Sequence, residues 1–358
     1  MKILFLAPYP KYESPSQRYR FEHYLGELEK KGIAYNYIPF LSLKAWKIVF
    51  QPGHYFQKAI SLLVAFAKRW ALMFRLRSYT HVYIHREAAP IGPPVFEWII
   101  KRLWKKKLIY DYDDAIWIPV TSEHNKMALR FKWFSKVATI CRLADTVSAG
   151  NEFLADFARR YCKNVIVIPT VVETDSRHNA RQNQETDKPA IGWTGTFSTL
   201  KYLDIVKPVL QELQAEIEFT FIVIANEDPK LPLKHYQFIP WNKETEISDL
   251  LKMHIGLMPL YDGDLEKGKC GFKAIQYMSL GIPAVVSAVG VNDKIVEDGV
   301  NGFVCHSQPE WKEKLRQLLL DKNLRAAFGA KARTKIENEY SVKSTSEKFV
   351  ALFGKDPY

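Results

Sequence analysis

Three carboxylates crowd one short stretch, Asp111-Tyr112-Asp113-Asp114, directly after the apolar run Lys107 to Tyr110. Like charges this close repel, so a folded chain keeps them where a cation, a base role or hydrogen-bond donors compensate. Helix N-capping by Asp113 or Asp114 is the structural alternative for one of them. Upstream, His85-Arg86-Glu87 forms a charged cluster where another apolar run ends. Near the start, Ser14-Pro15-Ser16-Gln17-Arg18-Tyr19-Arg20 opens a helix whose first turns carry two arginines. With Ser14 or Ser16 as the cap, exposed amides together with Arg18 and Arg20 suit a phosphate; a capped surface helix with solvated arginines is the plain alternative.

Two loops of the second half point to an anion more specifically. The run Ile191-Gly192-Trp193-Thr194-Gly195-Thr196 ends a strand in a small-residue turn, which lets backbone amides approach a pyrophosphate closely. The loop Gly268-Lys269-Cys270-Gly271-Phe272-Lys273 opens a helix that carries Gln276 and stops at Gly281. Glycines at the entrance, a lysine in the first turns and a polar residue one turn later would hold phosphates and a sugar hydroxyl. A plain surface role for Lys273 is the alternative.

These groups need a scaffold, and the hydropathy pattern supplies one. Strand-length apolar runs occur at 3–7, 35–39, 81–85, 107–110, 146–148 and 165–168, with helical patterns between them such as 16–31 and 125–143. This is the βα alternation of a parallel sheet. The polar stretch 172–188 interrupts it, and the alternation resumes at 190–193, 219–225, 237–239, 255–259, 284–287 and 302–305. At 358 residues the chain exceeds the size at which one core keeps growing. The expected organisation is an α/β protein of two doubly wound domains: residues 1–172, a linker 173–188 and residues 189–340. In open sheets of this kind ligands bind beyond the carboxyl ends of the strands, where all the loops above lie.

The net charge of +12 is unevenly placed. Residues 1–180 hold 28 Lys+Arg against 15 Asp+Glu, and residues 181–358 hold 23 against 24. A basic half beside a neutral half reads as one domain facing something acidic and the other doing different work. Nucleic acid is disfavoured as that partner, because basic residues do not interleave with aromatics outside 101–107 and no zinc-finger or RNA-recognition signature occurs. Residues 59–74 are apolar but interrupted by Lys68 and Arg69, so they do not read as a membrane span. The segment reads as a helix with Phe66, Trp70, Met73 and Phe74 on one side, either packed on the core or lying on an anionic bilayer. Met1-Lys2 runs straight into a buried first strand with no secretory leader, and the four cysteines show neither a zinc nor a disulfide spacing. A cytoplasmic location, peripheral at the inner face of the membrane, is the expectation.

The cassette from Gly268 through Ser279-Leu280-Gly281-Ile282-Pro283, Val285-Val286-Ser287 and Ile295-Val296-Glu297-Asp298-Gly299-Val300-Asn301-Gly302 resembles the donor-binding half of retaining GT-B glycosyltransferases of family four. With the initial strand and loop, the acidic strand end and the Gly-Trp-Thr-Gly turn, the resemblance spans most of the chain. It implies two Rossmann-like domains facing a cleft, with residues 341–358 crossing back to the first. It further implies a nucleotide-sugar donor in the second domain, a saccharide or lipid-linked acceptor in the basic first domain, and retained anomeric configuration. The donor diphosphate would be met by Gly195, Thr196, Lys201, Gly271, Phe272 and Lys273, with no essential metal or other cofactor. Gln276 would take the ribose and Trp241 the base, core packing being the alternative for Trp241. Arg18 and Arg20 would position the acceptor, and Arg86, Glu87, Asp113 and Asp114 would act at the reacting centre.

The resemblance departs from the family at two positions. The two glutamates that family members place eight residues apart fall on Gly268 and Gln276, and Glu266 lies two residues early. Competing readings are a nucleotide-sugar-modifying enzyme on the same fold, an epimerase or phosphorylase type, and a non-catalytic nucleotide-sugar-binding subunit.

Overall fold

The computed structural model describes residues 1–49, 51, 53–119 and 133–354. Two compact units emerge, one made of residues 1–169 with 346–358 and the other of residues 170–345.

The first unit is built on six strands, β1 (Lys2–Ala7), β2 (Ala34–Pro39), β3 (His81–His85), β4 (Lys107–Tyr112), β5 (Thr146–Ala149) and β6 (Val165–Val167), in the order β2-β1-β3-β4-β5-β6. All pairings are parallel. Strands β1 and β3 are buried along nearly their whole length, as apolar runs covered on both faces require. The helices described are α1 (Pro15–Arg18), α2 (Leu25–Lys30), α3 (Leu43–Val49), α4 (Tyr55–Met73), α5 (Val95–Trp98), α6 (Lys136–Leu143) and α7 (Glu152–Arg159). From β1 the chain moves to β2 on one side, and β3 then lies on the other side of β1. The switch point therefore falls between β1 and β3, and the loops after those strands flank it.

The expected single helix over 16–31 is broken into α1, a 3-10 turn (Glu22–Tyr24) and α2. Its polar side chains explain the break, because they are drawn inward to hold the loop after β1. Gln17 is buried, accepts from the Tyr9 amide at 2.8 Å and donates to the Tyr9 carbonyl at 3.0 Å. Glu22, also buried, accepts from the Tyr12 amide at 2.8 Å. Of the expected helix 125–143 only α6 and its approach from residue 133 lie within the described residues. Near the C-terminus, Phe349 stacks on Tyr24 and Phe353 meets Phe5, so the last segment packs into the first unit's core.

The second unit repeats the plan with β7 (Ala190–Gly195), β8 (Thr220–Ala225), β9 (Tyr236–Pro240), β10 (Ile255–Met258), β11 (Ala284–Ser287) and β12 (Gly302–Cys305), ordered β12-β11-β10-β7-β8-β9 and all parallel. Its helices are α8 (Lys207–Glu216), α9 (Glu246–Leu250), α10 (Asp264–Lys267), α11 (Phe272–Ser279), α12 (Asn292–Ile295), α13 (Gln308–Leu320) and α14 (Lys322–Glu339), and α15 (Val342–Ala351) begins in this unit and ends in the first. One core of Ile191, Trp193, Phe221, Leu257, Trp311 and Leu315 packs the sheet against α8 and α13. Here the switch point lies between β7 and β10.

Composition made 173–188 a linker, yet the segment is stitched onto the second unit. The buried Arg333 donates to the carbonyls of Thr174 and His178, and the buried Arg325 to that of Thr186 at 2.6 Å. Gln182 donates to the Leu251 and Met253 carbonyls at 2.6 Å each. The polar side chains that made the stretch look free satisfy backbone groups that burial would otherwise strand.

Candidate functional site

In the second unit, β7 ends in the Gly-Trp-Thr-Gly turn at the switch point, and α11 starts beside it. The Trp193 ring is folded back so that a Cβ on Gly195 would lie 2.2 Å from it, which explains a glycine there. The Lys273 amine sits 5.4 Å over the same ring. The Tyr277 hydroxyl, one turn further along α11, accepts from the Thr194 amide at 2.9 Å. The strand end and the helix start are thus joined through Trp193, and Gly195 and Lys273 are brought together. Lys273 is half-buried; burial, then the charge of Lys269, lowers its amine to about 7. An amine lowered this far, held beside a glycine turn, gains most from an incoming anion.

Gly271 precedes α11 with φ of +66°, and a Cβ there would meet Ile295 Cδ1 at 2.0 Å. Gly271→Ala is therefore expected to destabilise the protein by about 2 kcal/mol through left-handed backbone strain and overpacking. Urea unfolding measures it, and an unchanged midpoint would show that the turn accepts a side chain. The first bond inside α11 runs from the Ile275 amide to the Gly271 carbonyl, so the preceding amides, Phe272 and Lys273 included, belong to the helix's N-terminal turn.

The other expected donor residues are spread more widely. Thr196 caps the 3-10 helix Phe197–Ile205: its amide donates to Thr199 Oγ1 at 3.0 Å, and the Phe197 amide donates to Asn226 Oδ1 at 2.8 Å. Two amides of this turn are thus occupied, and Asn226, from the end of β8, is a site residue the sequence did not suggest. Lys201 is exposed, its amine 5.1 Å over its neighbour Tyr202. Gln276 is buried on α11, one turn after Lys273. Trp241 is 37% exposed and extends the edge strand β9, its amide bonded to Ala225, with β8 between it and the switch point. Glu266 is buried and accepts from the Tyr202 hydroxyl at 2.5 Å.

In the first unit the carboxylates are separately partnered. Asp111, fully buried, accepts from Arg20 at 2.5 Å and pairs with His85 Nδ1 at 2.7 Å. Burial alone would raise its carboxyl; the Arg20 guanidinium and the His85 ring outweigh that and hold it well below the usual carboxylate range. His85 Nε2 lies 3.3 Å from Ser16 Oγ, which completes a chain from the loop after β1 to the end of β4. Asp113 takes the Arg86 guanidinium at 2.8 Å. Asp114 accepts from the amide of its neighbour Ala115 at 3.0 Å in a turn and not at a helix start, so the helix-capping alternative does not hold for it. Glu87 pairs with the buried Lys136 at 2.7 Å. Arg86 and Glu87, with Tyr9 and Trp133, line a cavity of about 60 Å³ beyond the strand ends.

The two expected acceptor arginines are not solvated. Arg18 is buried with its guanidinium on Tyr19, donating to that hydroxyl at 2.8 Å. Arg20 is buried too and donates to Asp111, to Ser148 at 3.2 Å and to the Ile168 carbonyl. A one-turn helix points both inward, so the phosphate reading of this loop gives way to a structural one for Arg20. The sequence named Asp111 and His85 but gave neither a role; their signal was that they stand opposite each other on the neighbouring strands β3 and β4. Among the described residues no three His, Cys, Asp or Glu side chains converge as a metal site.

Comparison with known proteins accords with this layout. The fold superposes on sucrose-phosphate synthase from Thermosynechococcus elongatus with a TM-score of 0.71 at 13% identity, covering 98% of both chains. It also superposes on Anabaena HepE, solved with UDP and glucose, with a TM-score of 0.66 at 17% identity over 99% of both chains. This is the GT-B fold. Residues 175–335 of the GT-B chain match the family described as glycosyl transferases group 1, a span that holds the stitched segment, the Gly195 turn and α11. A curated relative, spore coat protein SA of Bacillus subtilis, is 24% identical over 82 residues, 22% of this chain and 22% of that protein. No described helix of the GT-B chain is long and apolar enough to cross a membrane.

Proposed function

We propose that this chain transfers a sugar from a nucleotide-sugar donor to a saccharide or lipid-linked acceptor with retention, in cell-surface polysaccharide or glycolipid synthesis at the cytoplasmic side of a membrane. The observation that carries the reading is the Lys273 amine over Trp193 beside the Gly195 turn, inside the span that matches group 1 glycosyltransferases. The departing diphosphate is neutralised there by Lys273 and the α11 amides, which stabilises the charge that develops as the glycosidic bond breaks. Gln276 takes a ribose hydroxyl through its amide oxygen, Trp241 stacks on the base, and Lys201 reaches the phosphates from the facing turn. In the first unit, Arg86 and Asp113 orient the acceptor hydroxyl.

Thermal unfolding with UDP, GDP, ADP and CMP tests the donor half. One nucleotide is expected to stabilise by about 2.7 kcal/mol at a hundredfold excess over its Kd. No shift with any of them counts against the transferase reading. Release of nucleoside diphosphate only when an acceptor is added separates transfer from epimerisation.

A non-catalytic donor-binding role is the second reading. Gly268 and Gln276 stand where the family's glutamates are expected, and Glu266 is held by Tyr202. Nucleotide-sugar binding without turnover on any acceptor, lipid-linked ones included, would favour it.

A further inference from the structure

Helix α4 has two apolar faces; one is buried, and of the other Trp70 alone meets a ring of the described residues, edge-on to Phe96. Ala65, Leu72 and Met73 are buried, together with Arg69, whose guanidinium lies over Phe40 and is lowered to about 10 by burial. The sequence put Met73 and Phe74 on one side; in the structure Met73 turns inward and Phe74 outward. Phe56, Leu63 and Phe74 are 78%, 69% and 79% exposed, and Ile60 and Trp70 are each 44% exposed. At 3.6 residues per turn these five positions fall within an arc of about 80°. They form one apolar stripe along the solvent side of a helix 19 residues long. A contiguous apolar patch of this kind marks an interaction site.

The charge around the stripe is of one sign. Between Glu29 and Glu87 the sequence contains no acidic residue. Lys68 is exposed on the flank of α4, with Arg75 and Arg77 exposed just beyond its end, and Lys44 and Lys47 are exposed on α3, which packs against α4. Lys106 reaches the Arg77 carbonyl at 3.4 Å, which brings the basic run 101–107 to the same end.

We propose that this face of the first unit docks on an anionic lipid bilayer, the apolar stripe entering the headgroup boundary and the flanking cations meeting lipid phosphates. A second copy of the chain is a poor occupant, because a self-complementary contact would bring unneutralised Lys and Arg against their own like. The inference deepens the membrane part of the proposed function but uses no residue of the second unit, so it is tested apart from donor binding.

Flotation of the full chain with phosphatidylcholine vesicles containing about one-third phosphatidylglycerol, against phosphatidylcholine alone, tests it. The chain is expected to bind the anionic vesicles at least tenfold better, with binding weakened by salt. Phe56→Ser/Leu63→Ser/Phe74→Ser is expected to reduce that binding at least tenfold. The same loss is expected for Lys68→Glu/Arg75→Glu, which alters no apolar side chain and so remains informative if the first variant folds poorly. The nucleotide-induced thermal shift should persist in both, so a failed donor assay and a failed docking assay are told apart. Equal binding to both vesicles, or binding unaffected by either variant, overturns the proposal. So does a stable dimer in sedimentation that the Ser variant dissolves.

Discussion

Lys273→Met is expected to weaken nucleoside diphosphate binding by at least tenfold and, at the same time, to make the ligand-free protein more stable. Both effects come from one fact: the amine is half-buried over Trp193 and is lowered to about 7 by burial and by the charge of Lys269. In the unfolded chain a lysine titrates near 10.4, so between about pH 7 and pH 10 the unfolded state binds more protons than the folded one. Stability contributed by this site therefore rises with pH across that window and is least when the amine is charged. Methionine removes the penalty, a gain of roughly 1–2 kcal/mol at neutral pH once the partial exposure of the amine is discounted. Diphosphate binding has the opposite sign: it draws on the protonated amine, so affinity falls as pH rises above about 7 in the parent and stays level in Lys273→Met. Calorimetric titration with the nucleotide found by thermal shift, repeated across pH, measures it. A parallel pH dependence in parent and variant would remove Lys273 from the diphosphate role.

Asp111→Asn should be among the most damaging single changes in the first unit, at about 3–5 kcal/mol, because it leaves the buried Arg20 guanidinium without its counter-charge. Asparagine keeps the volume, so the loss is electrostatic and not a cavity effect. The pH dependence carries the signature. The Asp111 carboxyl is held below its unfolded value of about 3.9, so its contribution is fully present above that value and is lost as pH falls toward the folded one. The gap in urea midpoint between parent and variant is expected to be constant from about pH 8 to pH 5 and to narrow below that. A gap that stays constant on acidification would show that the carboxylate does not balance Arg20.

What the sequence disclosed follows from periodicity. Apolar runs such as 3–7 and 284–287 are buried on both faces, and their lengths and spacing declared both sheets. The cassette around Gly271 and Lys273 was legible in its glycines and lysine at a helix entrance and in its resemblance to a family, and the structure gives Gly271 the positive φ that favours glycine there. Long-range polar partnerships were not legible. Arg20 looked like a surface phosphate ligand because nothing local announces that Asp111, 91 residues away, will take it inside. Arg325 and Arg333 hid the same way, and with them the packing of 173–188. Helix periodicity placed an apolar stripe on α4 but grouped the buried Met73 with the exposed Phe74, because both faces are apolar and only tertiary packing separates them.

The stitched segment also bears on how such a chain can be reshuffled in evolution. Two buried guanidiniums of α14 take carbonyls from 174–186 as their partners, so the second unit inherits its integrity from residues that precede its first strand. A recombination that joined a foreign second unit at Ala190 would separate the arginines from the carbonyls that partner them. A crossover at Thr170, where the second unit begins, would carry both together.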